Sequence, residues 1–366
     1  MSGSSEPVLA LGLMSGTSID GIDAALLWTD GQSVVEARGA LSLPYDDTVR
    51  SVLRDAINQA EIIPNVKAVE RALTLAHSAA VLALLQQQEI LPCAVNVIGF
   101  HGQTLLHRPE EGVTWQIGNG ALLALATEID VVSDFRTADV EAGGEGAPLA
   151  PVFHAALVAE LEKPLAVLNV GGVANVTWVG SDGSLIAFDT GPGNAMLDDW
   201  SYAHTGARYD DGGHLAASGH SDPEALRCLL DNAYFDRPPP KSLDRNSFSS
   251  GPVDGMNAAD GAATLASFTV QAIARAVNYF PQPVARWLVT GGGRHNGFMM
   301  ACLAEHLAAP VDPVEVVGWD GDALEAQAFA YLAVRSRRGL PLTFPTTTSA
   351  PRPLTGGRFD PAPPNS

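Results

Sequence analysis

Apolar residues recur along the chain with two periods, one typical of strands and one typical of helices. Residues 11–27, LGLMSGTSIDGIDAALL, predict an apolar strand, a turn of small and hydroxylated residues, and a second, alternating strand. Residues 165–185, LAVLNVGGVANVTWVGSDGSL, repeat this arrangement around a Gly-Gly turn. A second glycine-tipped hairpin after roughly 150 residues suggests two related halves, although two unrelated hairpins would show the same pattern.

The same patterns predict the other elements. Helices are predicted over residues 67–89, 120–128, 262–278 and 321–335, and strands over 95–102 and 129–136, with a third from 286 that opens through three glycines into a helix. Residues 139–151 predict a loop or hinge, and the Pro-, Thr- and Gly-rich tail from residue 339 predicts an extended segment. Strands that alternate with helices indicate an α/β fold.

Length and composition indicate two folded domains and exclude some partners. A chain of 366 residues is long for a single core. We therefore expect an N-terminal domain over 1–140, a second domain over 141–340, and a C-terminal segment over 341–366 that packs back on the first domain. The net charge of −20 and the three lysines argue against a nucleic-acid partner and against an anionic membrane surface.

The cysteines and the N-terminus bear on location. Cys93, Cys228 and Cys302 are far apart, odd in number and without a CxxC pair, which fits buried thiols in a reducing compartment. The N-terminal residues lack a basic region, and the apolar run after them is too short to span a bilayer. We expect a cytoplasmic protein.

The turn of the first hairpin carries groups that suit a polyphosphate and its magnesium ion. Glycines let the backbone approach a ligand, hydroxyls and main-chain N–H groups can bind phosphate oxygens, and carboxylates suit Mg²⁺. The candidate residues are Gly16, Thr17, Ser18, Ile19, Asp20, Gly21, Ile22 and Asp23. An ordinary hairpin with a polar tip would have the same composition.

Common nucleotide motifs are absent from the sequence. There is no Gly-Lys dipeptide for a Walker A loop, and the strand lysine and HRD loop of protein kinases are missing. In TGGGRHN, Asn296 stands where a dinucleotide-binding motif has its third glycine. What remains is a glycine turn at each of three separate strand ends, near residues 16, 172 and 292.

These three turns resemble those of the actin, hexokinase and heat-shock ATPase superfamily, whose two related domains close over a nucleotide. A closer resemblance is to the anhydro-N-acetylmuramic acid kinase family, whose blocks occur here in the family's order. The blocks are LMSGTSIDGID, GFHGQTLLHRP, QIGNG, DFRTADVEAGGEGAPLAP, NVGGVANVTW, FDTGPGNAMLDDW, TGGGRHN and GWDGDALEAQAFAYLAVR. The resemblance implies two actin-like (ribonuclease H-like) domains with a nucleotide cleft between them.

The resemblance also implies an activity. Members of this family use ATP and Mg²⁺ to open 1,6-anhydro-N-acetylmuramic acid with water and phosphorylate the freed 6-oxygen, and the resemblance implies a homodimer. Two alternatives remain: a kinase of the same fold for an ordinary hexosamine, and a nucleotide-gated sensor without catalysis. A carboxylate suited to act as a base disfavours the sensor, because a pure binder does not need one beside the phosphate.

Asp189, in FDTGPGN, is the candidate catalytic base, because it ends an apolar strand before a glycine turn. A helix N-cap is the other interpretation of this residue. The resemblance implies that a nucleotide clamp is completed by Gly171, Gly172 and Asn175 opposite the first turn, and by an adenosine turn at Gly291, Gly292 and Gly293. Each glycine could instead serve backbone geometry alone. Asp20 is a candidate magnesium partner through water, or a turn former before Gly21.

Four residues are candidates for the sugar. Arg136 suits the lactyl carboxylate, because guanidinium binds carboxylates bidentately, unless it pairs with Asp134 or Asp139. His101 and Gln103 could bind sugar hydroxyls, although His101 could equally be a satisfied core histidine. Glu325 resembles a family glutamate that faces the active cleft, or is a helix-favouring first-turn acid.

One segment departs from the family. Residues 240–248 read PKSLDRNSF where the family usually has Lys-Ser-Thr-Gly-Arg-Glu-x-Phe. Lys241, Ser242, Arg245 and Phe248 keep the frame, whereas Leu243, Asp244 and Asn246 replace the family's Thr, Gly and Glu. The local geometry of this loop is therefore open.

Overall fold

The computed structural model describes residues 6–16, 19–58, 65–245 and 247–364. The chain divides into two compact units. Unit 1 comprises Met1–Glu160 and Asp322–Ser366, and unit 2 comprises Leu161–Gly321. These boundaries differ from the predicted ones at 140 and 340.

The secondary structure follows the predicted alternation of strands and helices. The strands are β1 Val8–Met14, β2 Gly21–Thr29, β3 Val35–Pro44, β4 Val97–Phe100, β5 Gln103–Arg108, β6 Val113–Ile117, β7 Val131–Ser133, β8 Leu165–Val170, β9 Val173–Val179, β10 Leu185–Pro192, β11 Arg286–Thr290, β12 Val311–Pro313 and β13 Arg358–Asp360. The α-helices are α1 Asp47–Asn58, α2 Val66–Gln87, α3 Gly120–Thr127, α4 Thr137–Glu141, α5 Pro151–Leu157, α6 Ala195–Thr205, α7 His214–Ala217, α8 Pro223–Leu230, α9 Ala258–Ala274, α10 Gly297–His306, α11 Leu324–Arg337 and α12 Pro345–Thr348.

Unit 1 is built on a mixed sheet with the strand order β3-β2-β1-β4-β7-β13. The strands β1, β2 and β3 form an antiparallel meander, and β4 and β7 then continue the sheet parallel to β1. The late strand β13 pairs antiparallel with β7 at the edge. The C-terminal segment thus returns to the first half of the chain.

Helix α11 packs closely on the centre of this sheet because two strand glycines leave room for it. A Cβ at Gly12 would lie 1.7 Å from the carbonyl oxygen of Ala326, and a Cβ at Gly99 would lie 2.0 Å from that of Phe329. Gly12 and Gly99 are direct neighbours across β1 and β4. Helix α11 therefore belongs to unit 1, which moves the boundary from residue 340 to 321.

Helix α2 covers the other side of the unit 1 core. By length and composition this helix would be able to cross a membrane. Its apolar residues Leu73, Val81, Leu84 and Leu85 are buried in the same cluster as the strand residues of β1 and β2. This packing explains the apolar character of α2 as that of a core helix.

Unit 2 repeats the sheet of unit 1. Its strand order is β10-β9-β8-β11-β12, with an antiparallel meander in β8, β9 and β10 and parallel pairing of β8 with β11 and of β11 with β12. Helix α9 is buried along most of its length against this sheet's core. Three antiparallel strands followed by two parallel ones thus occur in both units, and the predicted α/β fold of two related domains is confirmed.

Four local predictions were wrong. Cys93 and Cys228, which were expected to be buried, are exposed, and Cys302 is partly buried. The strand expected over 129–136 spans only Val131–Ser133. The expected loop at 139–151 contains the end of α4 and the start of α5, and the first unit continues to Glu160. The strand expected over 95–102 spans only Val97–Phe100 and is followed by the separate hairpin of β5 and β6.

Candidate functional site

A row of polar side chains crosses four neighbouring strands of unit 2. Thr290 of β11 pairs with Asn169 of β8, Asn169 pairs with Asn175 of β9, and Asn175 pairs with Asp189 of β10. Residues directly opposite each other project from the same face of a sheet. On β8, Leu168 and Val170, the neighbours of Asn169, face the hydrophobic core. Side chains alternate between the two faces of a strand, so the polar row lies on the face of the sheet opposite this core.

Asp189 lies at a β-bulge and is 6% exposed. The register of β9 and β10 shifts between Asp189 and Gly191, which redirects the chain at this carboxylate. Helix α6 begins at Ala195 with Asn194 as its N-cap. Asp189 is therefore not the helix cap that the sequence allowed.

The segment that departs from the family contacts Asp189 directly. The N–H of Leu243 donates to Oδ2 of Asp189 at 2.9 Å, and the N–H of Asp189 donates to the carbonyl oxygen of Lys241 at 2.9 Å. The Tyr234 hydroxyl donates to the carbonyl oxygen of Asp189. The side chain of Leu243 packs into the unit 2 core, which accounts for an apolar residue at this position.

The β8–β9 turn meets the loop that follows Asp189. The N–H of Gly193 donates to the carbonyl oxygen of Gly172 at 3.0 Å, and that of Asn194 donates to Gly171 at 2.7 Å. A Cβ at Gly193 would lie 2.2 Å from the Gly171 oxygen, so this contact requires glycine at 193. Near Gly171 itself a Cβ would find only ordinary contacts, the nearest at 3.6 Å.

The three glycines after β11 serve different purposes. Gly291 has φ +76°, and a Cβ there would lie 2.3 Å from Oδ1 of Asn169. A Cβ at Gly293 would overlap Val170 at 2.4 Å. In contrast, Gly292 is exposed and its nearest neighbour would be Nδ2 of Asn194 at 3.7 Å. Internal packing therefore explains Gly291 and Gly293 but not Gly292.

An ion pair supports this third turn. Nε of Arg294 lies 2.8 Å from Oε1 of Glu315, and its Nη1 donates to the carbonyl oxygen of Gly291 at 3.0 Å. Burial raises the pKa of Glu315, but the hydrogen bond and charge of Arg294, together with backbone hydrogen bonds, lower this pKa below its usual value. Asn296 caps α10 through Met299 N.

In unit 1, part of the first turn is described. Thr17 and Ser18 lie outside the described residues. The carbonyl oxygen of Gly16 accepts the N–H of Ile19, whose side chain is buried, and Asp20 is exposed. Arg50 donates to the carbonyl oxygens of Ile19 and Asp20, which fixes the C-terminal side of the turn.

The other candidate residues of this hairpin have internal neighbours. Ile22 is buried in the unit 1 core, so only its backbone is available to a ligand. A Cβ at Gly21 would lie 2.7 Å from the carbonyl oxygen of Leu43, which explains this glycine by strand packing. Asp23 accepts the Ser42 hydroxyl at 2.6 Å.

Gln103 is fully buried and braces the first turn. Its Oε1 accepts the Ser15 hydroxyl at 2.8 Å, and its Nε2 donates to the carbonyl oxygen of Gly16 at 3.3 Å. The Tyr45 hydroxyl in turn donates to Ser15 Oγ at 2.9 Å. Both ends of its amide make a hydrogen bond inside the protein, so Gln103 supports the turn.

His101 and Arg136 form a pair. Nε and Nη2 of Arg136 approach Nε2 of His101 at 3.3 and 3.0 Å, and Nη1 of Arg136 donates to the carbonyl oxygen of Gly146 at 2.7 Å. Nδ1 of His101 lies 3.0 Å from the Gly102 oxygen. Asp139 instead accepts bonds from Gly146 N and Thr348 Oγ1.

Histidines near this pair are held neutral. Burial, followed by the charge of Arg136, lowers the pKa of His101 well below 6.5 and that of His107 to about 4. A neutral His101 with its proton on Nδ1 presents Nε2 as an acceptor to the guanidinium. His101 therefore orients Arg136, and it is a buried, hydrogen-bonded histidine as one interpretation of the sequence expected.

Glu325 lies in the first turn of α11 and is half-buried. It belongs to unit 1, as do His101, Gln103 and Arg136, whereas Asp189 and the glycine turns after β8 and β11 belong to unit 2. The predicted sites thus fall into one set for each unit.

Sequence reasoning missed several residues of these sets. They are Asn169 and Thr290 in the polar row, Tyr234 and Lys241 around Asp189, and Tyr45 near Gln103. Asn169 and Thr290 had a signal, because each is the polar residue that interrupts an apolar strand next to a glycine turn.

The repeated strand order, with glycine turns at the strand ends and a carboxylate on the third strand of unit 2, defines the class of two-domain actin-like ATPases and sugar kinases. A model of the family described as anhydro-N-acetylmuramic acid kinase matches residues 8–362. The chain belongs to the anhydro-N-acetylmuramic acid kinase family, and the predictions of family and of a kinase are confirmed.

Individual relatives agree with this assignment. A protein of Paramagnetospirillum magneticum named anhydro-N-acetylmuramic acid kinase is 57% identical over 96% of this chain and 99% of its own length. One of Rhodospirillum rubrum with the same name is 55% identical over 97% of this chain and 95% of its own. A solved ROK family glucokinase from Streptomyces griseus aligns over 90% of this chain and all of its own, at TM-score 0.44 and 14% identity.

Proposed function

We propose that this protein uses ATP and water to convert 1,6-anhydro-N-acetylmuramic acid to N-acetylmuramic acid 6-phosphate, a step of peptidoglycan recycling. Membership of the family and the buried carboxylate of Asp189 at a bulge beside glycine turns support this proposal. The oxygen of water bonds to C1 of the sugar while the C1–O6 bond breaks. O6 then bonds to the γ-phosphorus, the bond to the bridging oxygen of ADP breaks, and one water proton goes to Asp189.

Asp189 is the residue proposed to accept that proton. Its Oδ2 accepts a hydrogen bond from Leu243 N, so the carboxylate orientation is determined by main-chain geometry. A general base must be held within hydrogen-bond reach of the proton it removes. Asn175 and Asn169 lie beside it in the polar row and offer amide groups to the same region of the sheet face.

The glycine turns are proposed to hold the nucleotide. A glycine that neither positive φ nor a close neighbour demands has space beside its Cα for a ligand, and Gly171 and Gly292 have this property. We assign Gly171, Gly172 and Asn175 to the phosphates and the turn at Gly292 to adenosine, with Gly291 and Gly293 shaping that turn. From unit 1 we assign the backbone of residues 16–23 to the phosphates.

The sugar is assigned to groups in unit 1. Arg136 carries the charge needed for the lactyl carboxylate, and its guanidinium is oriented by His101 and by the Gly146 carbonyl. His101 and Gln103 act as positioning residues in this proposal, and Glu325 remains a candidate for a sugar hydroxyl. A bidentate arginine contact discriminates a carboxylated sugar from a neutral one.

Magnesium is proposed to accompany ATP. Mg²⁺ keeps several waters and binds one or two carboxylates together with substrate phosphates. The exposed carboxylate of Asp20, on the first turn, fits such a water-mediated role. The bound ion would neutralise charge on the phosphates. We also propose a homodimer, on the basis of the family resemblance. A location in the cytoplasm is proposed because the three cysteines are far apart and form no CxxC pair.

Release of ADP tests the proposal. Purified protein with ATP and Mg²⁺ is given 1,6-anhydro-N-acetylmuramic acid, N-acetylmuramic acid, or no sugar. We expect ADP release to need the anhydro sugar, with a phosphorylated product that has gained one water. Stimulation by N-acetylmuramic acid alone would favour an ordinary hexosamine kinase. ATP binding without turnover on any sugar would favour a sensor.

A further inference from the structure

Lys241 is a buried lysine next to the candidate base. The chain has three lysines, and Lys241 is 2% exposed whereas Lys67 lies on the exposed surface of α2. An ammonium group withdrawn from water is unfavourable unless it is compensated locally. The compensation at this position consists of specific contacts with two tyrosines.

The ammonium of Lys241 is held by one carbonyl and two aromatic rings. Its Nζ donates to the carbonyl oxygen of Tyr234 at 2.9 Å. It also lies 4.4 Å from the ring centroid of Tyr234 and 5.3 Å from that of Tyr279. A cation over an aromatic face is attracted to it by the ring quadrupole, and more strongly when it is desolvated.

These contacts close a ring that includes the backbone of Asp189. The Asp189 N–H donates to the Lys241 oxygen, the Lys241 ammonium donates to the Tyr234 oxygen, and the Tyr234 hydroxyl donates to the Asp189 oxygen. Two residues beyond Lys241, the Leu243 N–H donates to the Asp189 carboxylate. The position of the carboxylate thus depends on the segment that Lys241 anchors.

We propose that Lys241 is a positioning residue: its positive charge locks Tyr234 and the 241–243 segment around Asp189, and turnover falls when that charge is lost. The inference rests on the proposed role of Asp189 as the base. Without the charge the attraction to both rings disappears, and the ring of hydrogen bonds loosens. Lys241 does not touch substrate in this proposal and acts only through Asp189.

Lys241 loses its positive charge within the pH range in which turnover can be measured. Burial, and after it the charge of Arg237, lowers the pKa of Lys241 to about 8; Asp236 opposes this and Arg275 adds to it. Tyr234 and Tyr279 are the other titratable groups against the ammonium. Lys241 is charged below pH 8 and becomes neutral above it.

Kinetics of Lys241→Met against pH test the inference, with Lys67→Met as the matched control. For the wild type and the control we expect kcat to decline as the pH rises through about 8. For Lys241→Met we expect kcat about tenfold lower at pH 7, no decline between pH 7 and 9.5, and a KM for ATP within about twofold of wild type. A folded Lys241→Met protein with wild-type kcat and the same alkaline decline would overturn the inference.

If Lys241→Met does not fold, Tyr234→Phe is the variant that tests the inference. Tyr234→Phe keeps the ring and the carbonyl oxygen but removes the hydroxyl that holds Asp189. A lower kcat with unchanged KM values supports the inference, and an unchanged kcat overturns it. Wild-type turnover in Asp189→Asn would overturn the proposed role of Asp189 together with this inference, whereas the proposed function itself fails only if the anhydro sugar does not stimulate ADP release. Loss of turnover in Asp189→Asn, with wild-type turnover in Lys241→Met and Tyr234→Phe, would overturn only the role of Lys241.

Discussion

The N–H of Leu243 donates a hydrogen bond to Oδ2 of Asp189 at 2.9 Å, across 54 residues of chain. The donor lies in the segment where this sequence departs from its family's usual pattern. Because the donor is main chain, the contact survives the replacement of the side chain at position 243. A departure from the family pattern therefore leaves the candidate base in place.

Replacing the candidate base tests the centre of the proposal. We expect Asp189→Asn to lower kcat at least about 100-fold, because the amide cannot accept the water proton. The thermal unfolding temperature should change little, since the amide oxygen still accepts the Leu243 N–H. Asp182→Asn, at the exposed far end of the same strand pair, is the matched control. Near-normal turnover of the folded variant would remove Asp189 from the chemistry.

Two adjacent glycines should respond differently to alanine. We expect Gly291→Ala to destabilise the protein by at least about 1–2 kcal/mol, because of its positive φ and its contact with Asn169. In Gly292→Ala the Cβ has space, so the unfolding temperature should stay close to wild type. The KM for ATP should rise about tenfold, a loss of roughly 1.4 kcal/mol of binding. An unchanged KM in Gly292→Ala would contradict the assignment of this turn to the nucleotide.

Loss of the Arg136 guanidinium should raise the KM for the sugar and leave the KM for ATP nearly unchanged. We expect Arg136→Lys to raise the KM for the anhydro sugar about 10- to 100-fold, since lysine cannot bind a carboxylate bidentately. The KM for ATP should stay within about twofold. Arg38→Lys, at an exposed position of the same unit, is the control. Equal weakening of both substrates would indicate a structural role for Arg136.

A substitution at Gln103 tests whether this residue supports the first turn or contacts the sugar. We expect Gln103→Leu to raise the KM for ATP about tenfold, because Ser15 and the Gly16 carbonyl lose their partner. Gln116→Leu, on the neighbouring strand of the same hairpin, is the control. If the KM for the sugar rises instead, Gln103 contacts the sugar as the sequence suggested.

A buried histidine makes stability sensitive to acid. Burial lowers the pKa of His77 to about 4, below the 6.5 of the unfolded chain. The unfolded state therefore binds more protons between pH 6.5 and 4, and the stability present above pH 6.5 is lost as the pH falls. We expect His77 to account for about 2 kcal/mol of the loss between pH 7 and 5.

Urea unfolding at pH 7 and pH 5 measures this effect. In His77→Leu the loss of unfolding free energy on acidification should be smaller by about that amount. His220→Gln, at an almost fully exposed side chain, should lose as much as the wild type. An identical acid response in His77→Leu would show that His77 does not titrate in this range.

Much of the local structure could be predicted from periodicity. The helix expected over 67–89 spans Val66–Gln87, and that expected over 120–128 spans Gly120–Thr127. Both hairpins occur where they were predicted. Apolar spacing is a local property, so a short window of sequence contains it.

Contacts between distant segments could not be predicted in this way. Local spacing does not show that Gly12 makes room for α11, more than 300 residues away in the chain. Gln103 looked like a sugar contact and is buried beneath the first turn. Neither outcome depends on the neighbours in sequence.

The sequence by itself determined the order of elements, the family, and the polar residues at strand ends, because these follow from residue type and local spacing. Only the tertiary structure decided that α11 joins unit 1, which glycines have space beside their Cα, and how Asp189 is held by Tyr234, Lys241 and Leu243. Such hydrogen bonds and close approaches form between segments 40 or more residues apart, and they exist only once the chain has folded.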